Sequence, residues 1–257
     1  MRPEVVAVIP ARFGSTRLPG KPLATIGGVP LVVRVLRRVA SCPGIGRILV
    51  ATDDLRVVRA VETGGGEAVL TRADHPSGTD RIAEVASACP GCALLNVQGD
   101  EPGIDPGDLA SLLSWLDDGE GEVGTLVAPI KAAAEFLDPA VVKVVVDDRM
   151  RALLFSRAPI PWPREWGPAG SSPPRRSPLP GGLLRHLGVY LYRPGVVGRL
   201  AALPEGRSER LEKLEQLRWL EGGVSVGCRI ARHPSRGIDT PADLMRARRA
   251  YAKGLYP

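Results

Sequence analysis

Val5-Val-Ala-Val-Ile-Pro10 runs straight into Ala11-Arg-Phe-Gly-Ser-Thr-Arg-Leu-Pro-Gly-Lys-Pro-Leu23. The first segment is apolar and mostly β-branched, with no polar alternation. It reads as a strand buried on both faces, the kind found in parallel α/β sheets. The loop after it carries two glycines, two hydroxyls and three cations, Arg12, Arg17 and Lys21. Its backbone N–H groups and cations suit a phosphate chain. It is neither a dinucleotide GxGxxG nor a P-loop, because Gly20-Lys21 is followed by proline and cannot supply the hydroxyl ligand or enter a helix. A solvated basic loop is the bland alternative.

Outward from this segment, Leu31, Val32, Val35, Leu36 and Val39 recur at helical spacing. RILVAT (residues 47–52) is a second strand, with Asp53-Asp54 able to cap the helix after it. EAVL (67–70) and ALLNV (93–97) are further strands, with a helix around Ile82 to Ala86 between them. Strands spaced by helices imply right-handed crossovers and a parallel sheet. Then the pattern changes. TLVAPI, VVKVVVD and ALLFSR have no helix long enough between them for a crossover, so antiparallel pairing is expected there. A proline-rich loop spans Pro159–Gly182, LLRHLGVYLYR is another strand, and Arg210 to Glu221 reads as one charged amphipathic helix. SVGCRIAR returns to the sheet, and Pro241 opens a terminal helix at its first position. The expected fold is α/β: one domain over 1–257, with a mostly parallel central sheet and a smaller, partly antiparallel subdomain at about 130–205.

The 257 residues, 44% hydrophobic and 24% charged, suffice for one large α/β domain and exclude a chain disordered throughout. No apolar run reaches membrane-spanning length, and the first one is too short for a signal-peptide core, so membrane insertion is not expected and a cytoplasmic location is. Four cysteines make no disulfide scaffold; Cys89-Pro-Gly-Cys92 is either a turn or a lone metal-type pair. The net charge of +6 comes with only 4% aromatics and no long basic run, which argues against nucleic acid. Clustered arginines suit a compact polyanion, although heavy arginine usage accounts for part of the excess.

In parallel α/β sheets, ligands sit beyond the carboxyl ends of strands. Two more loops there are chemically loaded. Asn96-Val-Gln-Gly-Asp-Glu-Pro102 sets Asp100 and Glu101 beside a glycine turn. Such oxygens suit magnesium, which takes one or two carboxylates plus phosphates, or they form a plain helix-entry turn. In Arg236-Gly-Ile-Asp-Thr-Pro-Ala-Asp243, Asp239 is either a helix cap or a second metal carboxylate.

The motifs ARFGSTRLPGKPL, ADHPSGTDR, NVQGDEP, VKVVVD, FSRAPIPW, RHLGVYLYR, LEQLR and GIDTPADL occur in this order over essentially the whole chain. Together they resemble the bacterial 3-deoxy-manno-octulosonate (Kdo) cytidylyltransferases. That resemblance implies a Rossmann-like nucleotidyltransferase fold and the reaction of CTP with Kdo to give CMP-Kdo and pyrophosphate. It also implies Mg²⁺ as cofactor, a role in lipopolysaccharide synthesis, and a homodimer joined through the smaller subdomain. Carried over by motif, Arg12, Ser15, Arg17 and Lys21 would hold the triphosphate. Ser77, Gly78, Thr79 and Arg81 would help form the cytidine pocket. Asp100 and Asp239 would ligate magnesium and, with Arg17 and Lys21, carry the catalysis. Gln98, Arg157, His186, Glu212 and Gln216 would line the sugar pocket. On local evidence alone, His186 reads as structural, and Glu212 and Gln216, one helical turn apart, share a face that is either solvated or part of a pocket.

The sequence also departs from the pattern: Met150 and Leu154 stand where the family commonly has glycine and tyrosine, and Pro234-Ser-Arg-Gly237 lacks a usual glycine. Close rivals within the class are synthetases for CMP-sialic acid or for an 8-amino analogue of Kdo. A catalytically silent nucleotide- or nucleic-acid-binding module is the rival from outside it.

Overall fold

The computed structural model describes residues 2–75, 78–168 and 179–255. Chain order runs β1 (Val5–Pro10), β2 (Thr25–Ile26), β3 (Val29–Pro30), α1 (Leu31–Ala40), β4 (Arg47–Thr52), α2 (Leu55–Thr63), β5 (Glu67–Leu70), α3 (Gly78–Ala86), β6 (Ala93–Asn96) and α4 (Pro106–Asp118). It continues through β7 (Val123–Pro129), α5 (Ala133–Leu137), β8 (Lys143–Val146), β9 (Ala152–Ser156), β10 (Leu184–Tyr192), α6 (Val196–Ala201), α7 (Arg207–Glu212), α8 (Gln216–Glu221), β11 (Val226–Ile230) and α9 (Pro241–Ala252).

Among the described residues, one sheet has the order β11-β7-β10-β6-β1-β4-β5, with β8 added to β10 and β9 to β8. β1 lies between β6 and β4, parallel to both, and β4 pairs parallel with β5. The β1 side chains from Val5 to Ile9 are at most 2% exposed, as a doubly covered strand requires. On one side, α1 buries Leu31, Val32, Val35, Leu36 and Val39 at the helical spacing of the sequence. Burying each such side chain contributes roughly 1.5–3 kcal/mol, so this helix is held by its apolar stripe.

β10 enters antiparallel between β6 and β7, and it also supports the antiparallel β8–β9 pair. The expected antiparallel region is therefore built onto the central sheet through β10. β7 and β11 are again parallel.

The chain differs from the sequence reading in two places. Arg210 to Glu221 is not one helix: α7 ends at Glu212, Lys213 adopts a left-handed conformation at φ 53°, and α8 starts at Gln216. Glu212 and Gln216 thus lie on different helices and share no face. Within the proline-rich loop, Trp166 is buried and packs edge-on against Phe136, with ring centroids 5.7 Å apart. Residues 169–178 of that loop lie outside the described residues.

Met150 occupies the left-handed region at φ 60° in the turn between β8 and β9. This conformation costs a non-glycine residue about 1 kcal/mol. Its carbonyl nevertheless accepts the Cys228 N–H at 2.7 Å, which ties the turn to β11. Cys89 to Cys92 form a turn after α3, closed by the Cys92 N–H donating to the Cys89 carbonyl at 3.2 Å; both thiols are free.

Candidate active site

A cavity of about 1180 Å³ opens beyond the carboxyl ends of β1 and β6, bounded on the far side by β10, α8 and the loop before α9. The loop after β1 forms one wall through Arg12, Ser15, Arg17 and Lys21. Its shape is fixed from below. The Asp53 carboxylate accepts the Phe13 N–H at 3.1 Å, and the Arg56 guanidinium lies 3.7 Å above the Phe13 ring. The Ser15 hydroxyl accepts the Leu18 N–H at 3.3 Å. Gly20 takes a left-handed φ of 65° and turns the chain into a short 3₁₀ turn at Lys21–Leu23. That turn plants the base of the Lys21 side chain, and Pro22 is buried beneath it.

The loop after β6 approaches this wall closely. A Cβ on Gly99 would come within 2.8 Å of the Pro10 carbonyl oxygen, so only glycine lets the loop pass. Asp100 follows immediately. Its carbonyl accepts the Ile238 N–H at 2.9 Å, docking the loop before α9 onto the loop after β6. Ser235 adds a second tie by donating its hydroxyl to Glu101 Oε2 at 2.9 Å.

Asp239 sits two residues before the start of α9, just ahead of its cap. Thr240 is the cap: its hydroxyl accepts the Asp243 N–H at 3.2 Å, and the Asp243 carboxylate accepts the Thr240 N–H at 2.8 Å. This reciprocal box satisfies the helix end and leaves the Asp239 side chain free to face the cavity.

The carboxylates of Asp100 and Asp239 meet at one point. Lys21 Nζ donates to Asp239 Oδ1 at 2.9 Å and also to Asp100 Oδ2. The Arg17 guanidinium stands 3.1 Å from the same Asp239 oxygen. Burial works against the Lys21 charge, but the two carboxylates overcome it and hold its pKa above the ordinary value. Glu101 shows the opposite balance. Desolvation and the neighbouring Asp100 charge push its carboxyl up to about 7, against the Ser235 hydrogen bond and the Arg185 charge.

The far wall carries His186 on β10. Its Nε2 is 3.0 Å from Thr125 Oγ1, and that hydroxyl donates to the Val189 carbonyl at 2.7 Å. A hydroxyl has one proton, so Thr125 accepts from His186 Nε2–H, and Nδ1 is left as an acceptor. Burial lowers the imidazole pKa to about 3, so the ring is neutral. Gln98, Gly78, Thr79 and Gln216 also line the cavity, and Thr79 donates its hydroxyl to Glu215.

Three carried-over residues do not line it. Arg81 is fully buried. Its guanidinium donates to Thr71 Oγ1 and, at 3.3 Å, to Asp53, the carboxylate that anchors Phe13. It therefore supports the phosphate-type loop from behind. Arg157 and Glu212 are engaged with each other: the Arg157 N–H donates to Glu212 Oε2 at 2.6 Å, and its Nε donates to the Glu212 carbonyl at 2.8 Å. Ser77 lies outside the described residues.

The sequence reading also missed residues. Arg185 pairs with Glu135 at 3.0 Å in the cavity wall. Lys143, fully buried, donates to the carbonyls of Asp138, Val141 and Arg157 at 2.9, 2.6 and 2.6 Å. It thereby fixes the loop before β8, which lines the cavity. A lysine inside an otherwise apolar strand was the available signal, because an ammonium there must find several acceptors.

The model of a cytidylyltransferase family matches residues 6–226. The chain belongs to the cytidylyltransferase family. It is similar to a protein of Syntrophotalea carbinolica called 3-deoxy-manno-octulosonate cytidylyltransferase, with 48% identity covering 98% of this chain and 100% of the relative. An Escherichia coli protein of the same description is 43% identical, over 98% of each chain. A solved CMP:2-keto-3-deoxy-manno-octonic acid synthetase, in complex with CTP, superposes with a TM-score of 0.88 at 42% identity, covering 98% of this chain and 100% of that one. This cytidylyltransferase thus shares with its relatives a fold that extends over nearly the whole length of both.

Proposed function

We infer that this cytidylyltransferase couples CTP to Kdo, giving CMP-Kdo and pyrophosphate. One observation carries the reading: a cationic glycine-containing loop and a pair of carboxylates from distant loops face one cavity, in a chain about half identical to relatives of that activity. The anomeric hydroxyl of the sugar attacks the α-phosphorus in line. Its new P–O bond replaces the bond to pyrophosphate, which leaves, and the hydroxyl proton is released to water.

Such a transfer asks mainly for positioning and for neutralising charge on the phosphates. Arg12, Ser15 and the loop N–H groups hold the triphosphate, while Arg17 and Lys21 meet the charge that builds on departing pyrophosphate. Neutral His186 presents Nδ1 as an acceptor for a sugar hydroxyl, and Gln98 lines the same cavity. Asp100 and Asp239 would hold magnesium. Both are hard oxygen donors, and their convergence on one ammonium fits a site for a single cation. When bound, magnesium supplies charge neutralisation at the phosphates and makes a nearby hydroxyl more acidic.

We also propose a homodimer and a cytoplasmic location. Leu153 and Leu154 on the edge strand β9 are 59% and 44% exposed, an apolar surface suited to a second copy. Among the described residues no helix is long and apolar enough to cross a membrane. The test is pyrophosphate release from the purified protein with CTP, Kdo and Mg²⁺, with sialic acid and 8-amino-Kdo as competing acceptors. Release with Kdo preferred supports the reading; no release, or preference for another acceptor, overturns it.

A further inference from the structure

The Lys21 ammonium stands at the meeting point of the Asp100 and Asp239 carboxylates, 2.9 Å from Asp239 Oδ1 and also hydrogen-bonded to Asp100 Oδ2. Its position is built, not incidental. Gly20 and the 3₁₀ turn fix its backbone, and its side chain is only 17% exposed. With Arg17 at 3.1 Å from Asp239, the four groups carry no net charge. A divalent ion held by both carboxylates would need the same oxygen atoms that the ammonium now occupies. The two cations compete for one place.

We propose that Lys21 is an internal counter-ion that blocks the two carboxylates until a triphosphate draws its ammonium away. The stem is a flexible four-carbon chain rooted in the same loop as Arg12 and Ser15, which line the cavity, and a phosphate chain bound by that loop offers the ammonium a stronger anionic partner. Nucleotide binding thereby frees the acidic pair for a metal ion, and by linkage the metal strengthens nucleotide binding equally. This rests on the assignment of Asp100 and Asp239 as metal ligands.

The test measures Mn²⁺ binding, by the electron paramagnetic resonance of the free ion, to nucleotide-free protein. Wild type is compared with Lys21→Met, Lys21→Gln, and each of these combined with Asp100→Asn. Lys21→Met and Lys21→Gln are expected to bind Mn²⁺ about tenfold more tightly than wild type, within the usual range of coupling between sites. Adding Asp100→Asn is expected to abolish that gain. If either folded Lys21 variant binds Mn²⁺ no better than wild type, or if neither binds it, the blocking role is overturned. If the gain survives Asp100→Asn, the assignment of the metal ligands falls instead.

Discussion

Glu101 gives the sharpest test of the electrostatics, because its carboxyl is crowded by Asp100 and sheltered from water while its hydrogen bond to Ser235 is neutral. The perturbation is Glu101→Gln, which keeps an oxygen to accept the Ser235 hydroxyl but cannot ionise. In the unfolded chain the carboxyl titrates at its ordinary 4.5, and in the fold at about 7. Below the first value it is protonated in both states and contributes nothing to pH dependence. As the pH rises from there, the unfolded chain gives up the proton while the folded chain keeps it, so folding is penalised until about pH 7, where the penalty levels off. At about 1.4 kcal/mol per tenfold change in proton affinity, the ceiling is roughly 3 kcal/mol, and partial exposure reduces it. Urea unfolding in chelator-treated buffer should therefore show Glu101→Gln gaining on wild type by roughly 2 kcal/mol between pH 5 and pH 8. A difference that stays flat over that range, or wild type gaining on the variant, would refute the account of this wall.

Two further outcomes follow from the geometry. His186→Gln should raise the KM for Kdo by about 3–10-fold, the weight of one neutral hydrogen bond, and leave the KM for CTP unchanged. An equal rise in both, measured by steady-state kinetics, would make the histidine structural. Arg81→Met should raise the KM for CTP several-fold with little effect on Kdo, because it loosens Asp53 and hence the Phe13 anchor. Unchanged CTP kinetics in a variant that unfolds earlier in urea would confine Arg81 to stability.

What could be read along the chain was whatever is encoded locally. β1 and α1 announce themselves by an unbroken apolar run and by helical spacing, and both occur as expected. Local signals also pointed to a cap at Asp53-Asp54, and Asp54 fills it, its side chain accepting the Arg56 N–H at 2.8 Å. By contrast, the break at Lys213 is invisible to periodicity, since it depends on one left-handed residue that carries no glycine or proline. The α4 helix, capped by Asp105 ahead of Pro106, carried a legible start signal that the reading passed over.

In the site, residue type indicated the chemistry but not the partner. Asp100 and Asp239 stand at loops whose contact depends on the Asp100 carbonyl meeting the Ile238 N–H, a pairing no spacing reveals. Arg81 shares its motif with Thr79, yet the two side chains leave α3 in different directions: one lines the cavity and the other supports the loop from behind. Arg185 could be seen only as one charge among many arginines, because its partner Glu135 lies in a separate helix.

In the proposed mechanism Asp100 and Asp239 serve one cation at one place. The most direct measurement of this is the turnover of Asp100→Asn, Asp239→Asn and the double variant with CTP and Kdo at saturating Mg²⁺, each checked for folding. Either single change is expected to remove nearly all pyrophosphate release, and the second to add little. Near wild-type release from either single variant, or losses that multiply as for independent sites, would contradict that mechanism.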